Sequence, residues 1–275
     1  EVDLEADEDI VNREGTIKAN TSLAMTAGGD VRNESVVRTI KRKGNGTSSE
    51  DRLSRSSISS GGDISINAGN DIVNRGSSIS SQGDMTLDAK GKVIVESVAL
   101  TKKVTQTSVQ SQDMTLGEAS LSSGGVMRVD GDNGVSLKSA KLDMGEGGYL
   151  RSKEGTVTNT AIYLEDNENS RRNVNGRDTT RESWSRTGQA SQINAGAGGF
   201  AIESKGDIDL EGVKIKSAGD VSLESKEGAI TLKGLKNSAY SKQTQKWTTK
   251  SHWGLVKTDH EKVDETYNET VDRTT

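Results

Sequence analysis

The sequence predicts an all-β chain wound as a parallel β-helix, a solenoid of coils about 21 residues long with β-hairpin excursions, and three observations carry that expectation. The first is repetition. "ISSGGDISINA" begins at Ile58 and "ISSQGDMTLDA" begins at Ile79, 21 positions on. The second is alternation: apolar residues two apart, such as Ile64 and Ile66 or Met85 and Leu87, put a single apolar face on a short strand. The third is composition. The 275 residues include no Pro, no Cys and one Phe, with 31 Gly and a net charge of -5. Apolar content this low suits a thin core shared between stacked repeats better than the deep core of a globular enzyme. The modest charge and the periodic apolar residues argue against a disordered linker.

The unit recurs along the chain. "LSSGGVMRVDGDNGVSLKSAK" starts at Leu121 and "LDMGEGGYLRSKEGTVTNTAI" at Leu142, again 21 apart, while the units at Ile193 and Ile215 are 22 apart. An earlier copy, "IKANTSLAMTAGGDVRNES", begins at Ile17. Gly-Asp pairs punctuate the strands at Gly62-Asp63, Gly83-Asp84, Gly206-Asp207 and Gly219-Asp220. The expectation at these corners is a positive φ at each Gly and an Asp side chain bonded to its own backbone. Regular spacing with recurrent corners favours a solenoid over a hairpin-built sandwich. At about 4.8 Å per coil, roughly eight coils give a rod about 40 Å long.

Four runs break the repeat, at about 36–57, 99–120, 165–192 and 239–275. The organisation is two coils, then an excursion, with a super-repeat of 63 to 72 residues measured from Ile58 to Leu121 to Ile193. The excursions alternate polar and β-branched residues about central turns such as Gly44-Asn45-Gly46 or Trp253-Gly254, and read as antiparallel hairpins. All three Trp residues, Trp184, Trp247 and Trp253, lie in them. They are the candidate contacts to a membrane interface or a partner, because Trp is favoured in both places. The competing reading packs each Trp across its own hairpin or onto the rod.

Catalytic and ligand-binding chemistry finds little support. No Cys means no disulfide, thiol catalysis or thiolate metal site, and no run of about 20 apolar residues suits a helical membrane span. A carbohydrate-active β-helix needs paired carboxylates; Glu165, Asp166 and Glu168 read as solvated charges instead. Gly-Gly-Asp recurs at a period near 21, not the nine of calcium-binding nonapeptide coils. His252 and His260, eight apart, have no further ligand set for zinc and no triad partners. The basic run "RTIKRKGNG" lacks interleaved aromatics and reads as a solvated hairpin face, not a nucleic-acid site. The expectation is no enzyme, no cofactor and no metal.

The units "SSGGDISINAGNDI", "SSQGDMTLDA" and "KSAGDVSLESKEGAITL", the Ser/Thr/Lys-rich excursions between them and the final "YSKQTQKWTTKSHWGLVKTDHEKVDET" resemble the filamentous-haemagglutinin repeat family. More narrowly, they resemble the second repeat region of the long exoproteins secreted by the two-partner route, CdiA-type toxin-delivery proteins included. The resemblance covers essentially the whole chain. It implies a right-handed β-helix within a surface filament, secreted through the periplasm by an outer-membrane transporter. In the toxin-delivery branch of contact-dependent growth inhibition this region helps a toxin cross the target cell's outer membrane; in the haemagglutinin branch the filament is a host-cell adhesin. The chain, opening mid-pattern at "EVDLEADEDIVN", reads as an internal piece of something longer. Further expectations are a target-cell surface receptor or outer membrane as partner, and end-to-end self-association through unpaired strand edges.

Overall fold

The computed structural model describes residues 1–251, 253 and 256–274. Three parallel sheets form the walls of a β-helix. The first two have eight strands each and the third has seven among the described residues. Each of the first seven coils contributes one strand to each wall in turn, and the eighth to the first two; the third coil, for example, runs through Ile64–Ala68, Ile72–Arg75 and Ser78–Ser81.

The repeats seen in the sequence are direct neighbours. Ile58 pairs with Ile79, Leu121 with Leu142 and Ile193 with Ile215. The column continues between them, because Ile17 pairs with Ile58, Ile79 with Leu121 and Leu142 with Ile193. The first wall supplies a second column through Met25, Ile66, Leu87, Val129, Leu150 and Ile202, all buried. The second adds Val31, Ile72, Val93, Val135, Val157 and Ile208. Stacking places like on like down each column, so a coil with few apolar residues buries them between two neighbours. One contiguous core results.

The corners depart from expectation. Gly62, Gly83, Gly206 and Gly219 do sit between walls, but none has a positive φ. Crowding by the adjacent coil requires them instead: a methyl on Gly62 would lie 2.0 Å from the Thr21 carbonyl oxygen, and one on Gly83 would lie 2.1 Å from Asp63 Oδ1. Coils about 4.8 Å apart leave no room for Cβ where the chain turns toward its neighbour. Three of the four aspartates also bond across coils and not to their own backbone. Asp63 Oδ1 accepts the Asp84 N–H at 2.9 Å, Asp84 Oδ1 accepts that of Val126 at 2.9 Å, and Asp207 Oδ1 accepts that of Ala229 at 2.8 Å.

Positive φ recurs at a different corner, between the second and third walls, and is also found elsewhere, as at Gly199 (81°). Glu14 (54°), Gly76 (58°), Ser139 (47°) and Gly212 (63°) occupy that corner in the coils that turn there directly. In the intervening coils the chain leaves at this point and returns as a hairpin. Serine closes the gap in two of them. Ser35 Oγ accepts the Ser56 N–H at 2.9 Å and donates to the Gly76 carbonyl at 2.8 Å. Ser97 Oγ accepts the Ala119 N–H at 2.8 Å and donates to the Ser139 carbonyl at 2.6 Å. A buried amide ladder lines the same corner, with Asn12 donating to Asn33 at 2.8 Å and Asn33 to Asn74 at 2.9 Å.

The hairpins are Val36–Gly44 with Gly46–Ser54, Val98–Thr105 with Val109–Gly117, Ile162–Val174 with Arg177–Gln189, and Leu235–Ser251 with Val256–Asp272. They end ahead of positions 57, 120, 192 and 275 read from the sequence; after the first three, the polar residues before Ile58, Leu121 and Ile193 already pair within the third wall. Gly254 of the expected last turn lies outside the described residues. The hairpins do not stand apart. They join edge to edge in one eight-stranded antiparallel sheet running alongside the rod. A hairpin is two strands wide and leaves every second coil, so strand spacing and coil spacing match.

Candidate interaction surface

The hairpin sheet grows along the rod. Its arms lengthen from 9 residues in the first hairpin to 13 in the third and 17 in the fourth. The last arm extends about 56 Å at roughly 3.3 Å per residue, so the sheet is a wing broadest at one end.

Three seams join the hairpins, and each has backbone pairing plus a side-chain latch nearer the rod. Lys102–Thr105 pairs with Thr47–Glu50, and Asp51 Oδ2 accepts the Thr101 N–H at 3.0 Å. Val109–Gln112 pairs with Asn167–Ser170, and Asp166 Oδ1 accepts the Met114 N–H at 2.7 Å. Asp178–Arg186 pairs with Ser238–Lys246, and Asn237 Oδ1 accepts the Gly188 N–H at 2.8 Å. The acidic run of the third hairpin is thereby divided. Asp166 is a latch, while Glu165 lies 3.5 Å from Arg186. Strand alternation directs neighbouring members of that run to opposite faces.

The aromatic residues gather on the broad half of the wing. Trp184 stacks on Tyr240 across the third seam at 6.1 Å and 22°, and lies 6.2 Å from Tyr267. These three share one cross-strand row, because Trp184 pairs with Tyr240 and Tyr240 with Tyr267. Trp184 is still 37% exposed. Nearer the rod on the same face, the Arg186 guanidinium lies 3.6 Å over the Tyr163 ring, whose hydroxyl donates to Glu211 at 2.9 Å. Burial, then the Glu211 bond, pushes the Tyr163 phenol upward. Trp247 lies seven residues beyond Tyr240 and so on the opposite face. It stacks on His260 at 5.1 Å and 13°, under the Arg177 guanidinium at 4.6 Å. Trp253 stands apart, fully exposed at the tip turn with φ of 58°. Two of the three Trp residues therefore brace the wing, and one points to solvent.

A groove of about 910 Å³ runs between the hairpin bases and the second wall, lined by Arg38, Val98, Ile162 and Tyr163 on the wing side. Its floor is a charge ladder: Arg13, Glu34, Arg75, Glu96 and Lys138 are successive partners in one column. Arg13 meets Glu34 at 2.8 Å and Arg75 meets Glu96 at 3.2 Å, while Arg38 reaches from the first hairpin to Glu14 at 2.7 Å. The ladder was missed in the sequence, although Arg13 and Glu34, like Arg75 and Glu96, lie one 21-residue period apart. Tyr163, Tyr240 and Tyr267 were also missed, since their row exists only once separate hairpins join.

The most enclosed carboxylate, Asp130 on the first wall, has a donor on each of its two oxygens. Tyr149 Oη donates to it at 2.8 Å and Arg151 Nε at 2.5 Å. Burial first, and then Asp130, raises the Tyr149 phenol. Among the described residues no three His, Asp or Glu side chains are placed to hold a metal ion. His260 is held by Trp247 and by the Thr249 hydroxyl at 2.8 Å; His252 lies outside the described residues. The basic residues Arg38, Lys41, Arg42 and Lys43 all lie on the outermost strand of the wing.

Stacked parallel coils, a thin continuous core and laterally joined hairpins define a β-helical repeat protein, with surfaces suited to contact along its length. The model of the hemagglutinin repeat matches residues 37–180 and 172–263, and the chain belongs to that family. The repeat is structural rather than catalytic, and the proteins that carry it are secreted exoproteins of the cell surface. No curated protein and no solved structure matches the chain.

Proposed function

We propose that the chain is a non-enzymatic stalk segment of a secreted surface filament whose wing makes contact at the outer membrane of a target cell, in the manner of contact-dependent toxin delivery. The observation that carries it is the division of labour among the Trp residues. Trp184 and Trp247 stiffen the wing through stacked partners, and that rigidity presents Trp253, fully exposed, at the end of the longest arm. An amphipathic ring held away from the rod suits a headgroup-level contact. The toxin-delivery branch, the assignment to the second repeat region and export by a two-partner transporter rest on the resemblance of the repeats alone. The adhesin reading draws on the same family membership and differs in the surface contacted.

Binding of the fluorescently labelled chain to Gram-negative cells, outer-membrane vesicles and cultured epithelial cells separates these readings. Preference for outer membranes, lost on Trp253→Ser, is the expected result. Preference for epithelial cells moves the assignment to an adhesin, and binding to none of them overturns both contact readings.

A further inference from the structure

The two faces of the wing differ in how their cations are matched. On one face of the third and fourth hairpins, Arg171 holds Asp178, Lys246 meets Glu261 at 3.2 Å and Lys242 meets Glu265 at 3.9 Å. On the other face Arg172, Arg177 and Arg181 are exposed, and among the described residues none of them has a carboxylate within ion-pair distance. Arg181 donates instead to the neutral Gln243 side chain at 2.9 Å.

Register makes these three arginines one cluster. Arg172 pairs with Thr179, and Arg177 and Arg181 lie two residues to either side of Thr179, so strand alternation sets all three on the face of the Thr179 side chain. Thr179 pairs onward with Gln245, and Gln245 with Lys262, which is itself matched to Asp264 at 3.0 Å. Three guanidiniums thus surround one hydroxyl, with an amide beside it. Arg177 is held in place, since its guanidinium lies 4.6 Å from the Trp247 ring, which stacks in turn on His260. A stacked guanidinium keeps its N–H edge free for an oxyanion and loses little freedom on binding one. Like charges gathered this closely repel, and no carboxylate of the cluster offsets them.

We infer that the Arg172–Arg177–Arg181 cluster binds a terminal phosphate group carried by a lipid headgroup of the membrane that the wing meets. One carboxylate matches one arginine, as Asp178 does for Arg171 on the opposite face. Three arginines around Thr179 call for more charge and more acceptors. A phosphate monoester carries about -1.5 to -2 at pH 7 and three acceptor oxygens, and guanidinium forks engage such oxygens two at a time. The choice of a membrane as the source rests on the contact reading proposed above, and position supports it. The third hairpin ends four residues short of the fourth, about 13 Å at the usual strand rise. A surface at the outer margin of the wing therefore meets the arginines together with the exposed Trp253.

Co-sedimentation with phosphatidylcholine vesicles tests it, the vesicles carrying either phosphatidate, which ends in a phosphate monoester, or oleate at matched surface charge. The wild-type chain is expected to bind the phosphatidate vesicles about tenfold more tightly than the oleate ones, or better. Arg172→Gln/Arg177→Gln/Arg181→Gln should abolish that preference. Lys242→Gln/Lys246→Gln/Lys250→Gln removes the same charge from the opposite face and should keep it. All six side chains lie at the surface, so urea midpoints near the wild-type value separate lost binding from lost folding. Equal binding to phosphatidate and oleate, or an arginine variant that binds as the wild type does, overturns the inference. Inorganic phosphate bound as tightly as the vesicles would put the source in solution and overturn the lipid assignment. The two readings fail separately. A Trp253→Ser chain that still prefers phosphatidate keeps the arginine site and removes the tip contact, whereas outer-membrane vesicles bound equally by wild type and arginine variant keep the contact and remove the site.

Discussion

Asp63 accepts, through Oδ1, the backbone N–H of Asp84 in the next coil at 2.9 Å, and Asp84 repeats the gesture toward Val126 at 2.9 Å. A second series runs at the neighbouring corner, where Asp9 accepts from Asp30 at 2.8 Å, Asp30 from Asp71 at 3.0 Å and Asp71 from Lys92 at 2.7 Å. Backbone bonds between coils carry on into the corners, as from the Gly83 N–H to the Gly62 carbonyl at 3.1 Å, but they skip single N–H groups there. The carboxylates satisfy those N–H groups, and so tie successive coils together at their corners.

These bonds predict acid lability. The Val126 N–H, then Arg128, holds the Asp84 carboxyl below its ordinary 3.8. Burial pushes Asp30 up, but the Asp71 N–H together with Arg32 and Asn70 outweighs it, and the net shift is also downward. A carboxyl depressed in the folded state contributes stability that is present above its unfolded value and lost as pH falls through the folded one. The urea midpoint should therefore hold from neutrality to about pH 5 and decline below about pH 4. Asp84→Asn should lower the neutral plateau and flatten the acid limb; a variant with the wild-type acid limb would remove Asp84 as a contributor.

Corner glycines should tolerate no Cβ where coils touch. Gly62→Ala sets a methyl 2.0 Å from the Thr21 carbonyl oxygen and should cost about 1–3 kcal/mol, the usual range for overpacking. Gly44→Ala, at a hairpin tip with nothing within 4 Å, should be close to neutral. Urea denaturation of the pair decides it, since equal effects would mean that stacking is looser than the geometry states.

Ser97 is the second test of the coil corners. Its hydroxyl is buried and serves both the Ala119 N–H and the Ser139 carbonyl, so Ser97→Ala orphans a buried donor where the second hairpin re-enters the rod. The expected loss is about 1–3 kcal/mol. Faster amide exchange should localise to Ala119 and the hairpin base; uniform exchange along the chain would point to a global effect instead.

The rod was legible because its period is local. Ile58 and Ile79 lie 21 residues apart and are direct partners, so counting along the chain is counting up the axis. The wing was not. Trp184 and Tyr240 touch, yet they lie in separate hairpins with two whole coils between them, and no periodicity links them. A cue existed in the two-coil super-repeat, because two strands of excursion per two coils give matching widths. The corners misled in an instructive way: Gly62-Asp63 looks like turn chemistry within one coil, whereas Gly62 is confined by Thr21 in one neighbouring coil and Asp63 bonds Asp84 in the other.

The Trp residues offer a direct readout of the functional proposal. Trp253 is fully exposed, whereas Trp184 and Trp247 sit against aromatic and cationic partners. With Trp184→Phe and Trp247→Phe in place, Trp253 is the one remaining indole, and its emission should be red-shifted and freely quenched by iodide. Outer-membrane vesicles should then shift that emission to the blue and protect it, because the ring moves from water to the headgroup region. The double Phe variant retains stacking rings at both sites, so its urea midpoint should fall by less than that of Trp184→Ala, which discards the cross-seam pair worth about 0.5–1.5 kcal/mol. A Trp253 emission indifferent to vesicles, in a chain that still binds them, would move the contact away from the wing tip and onto the rod or the groove beneath the hairpins.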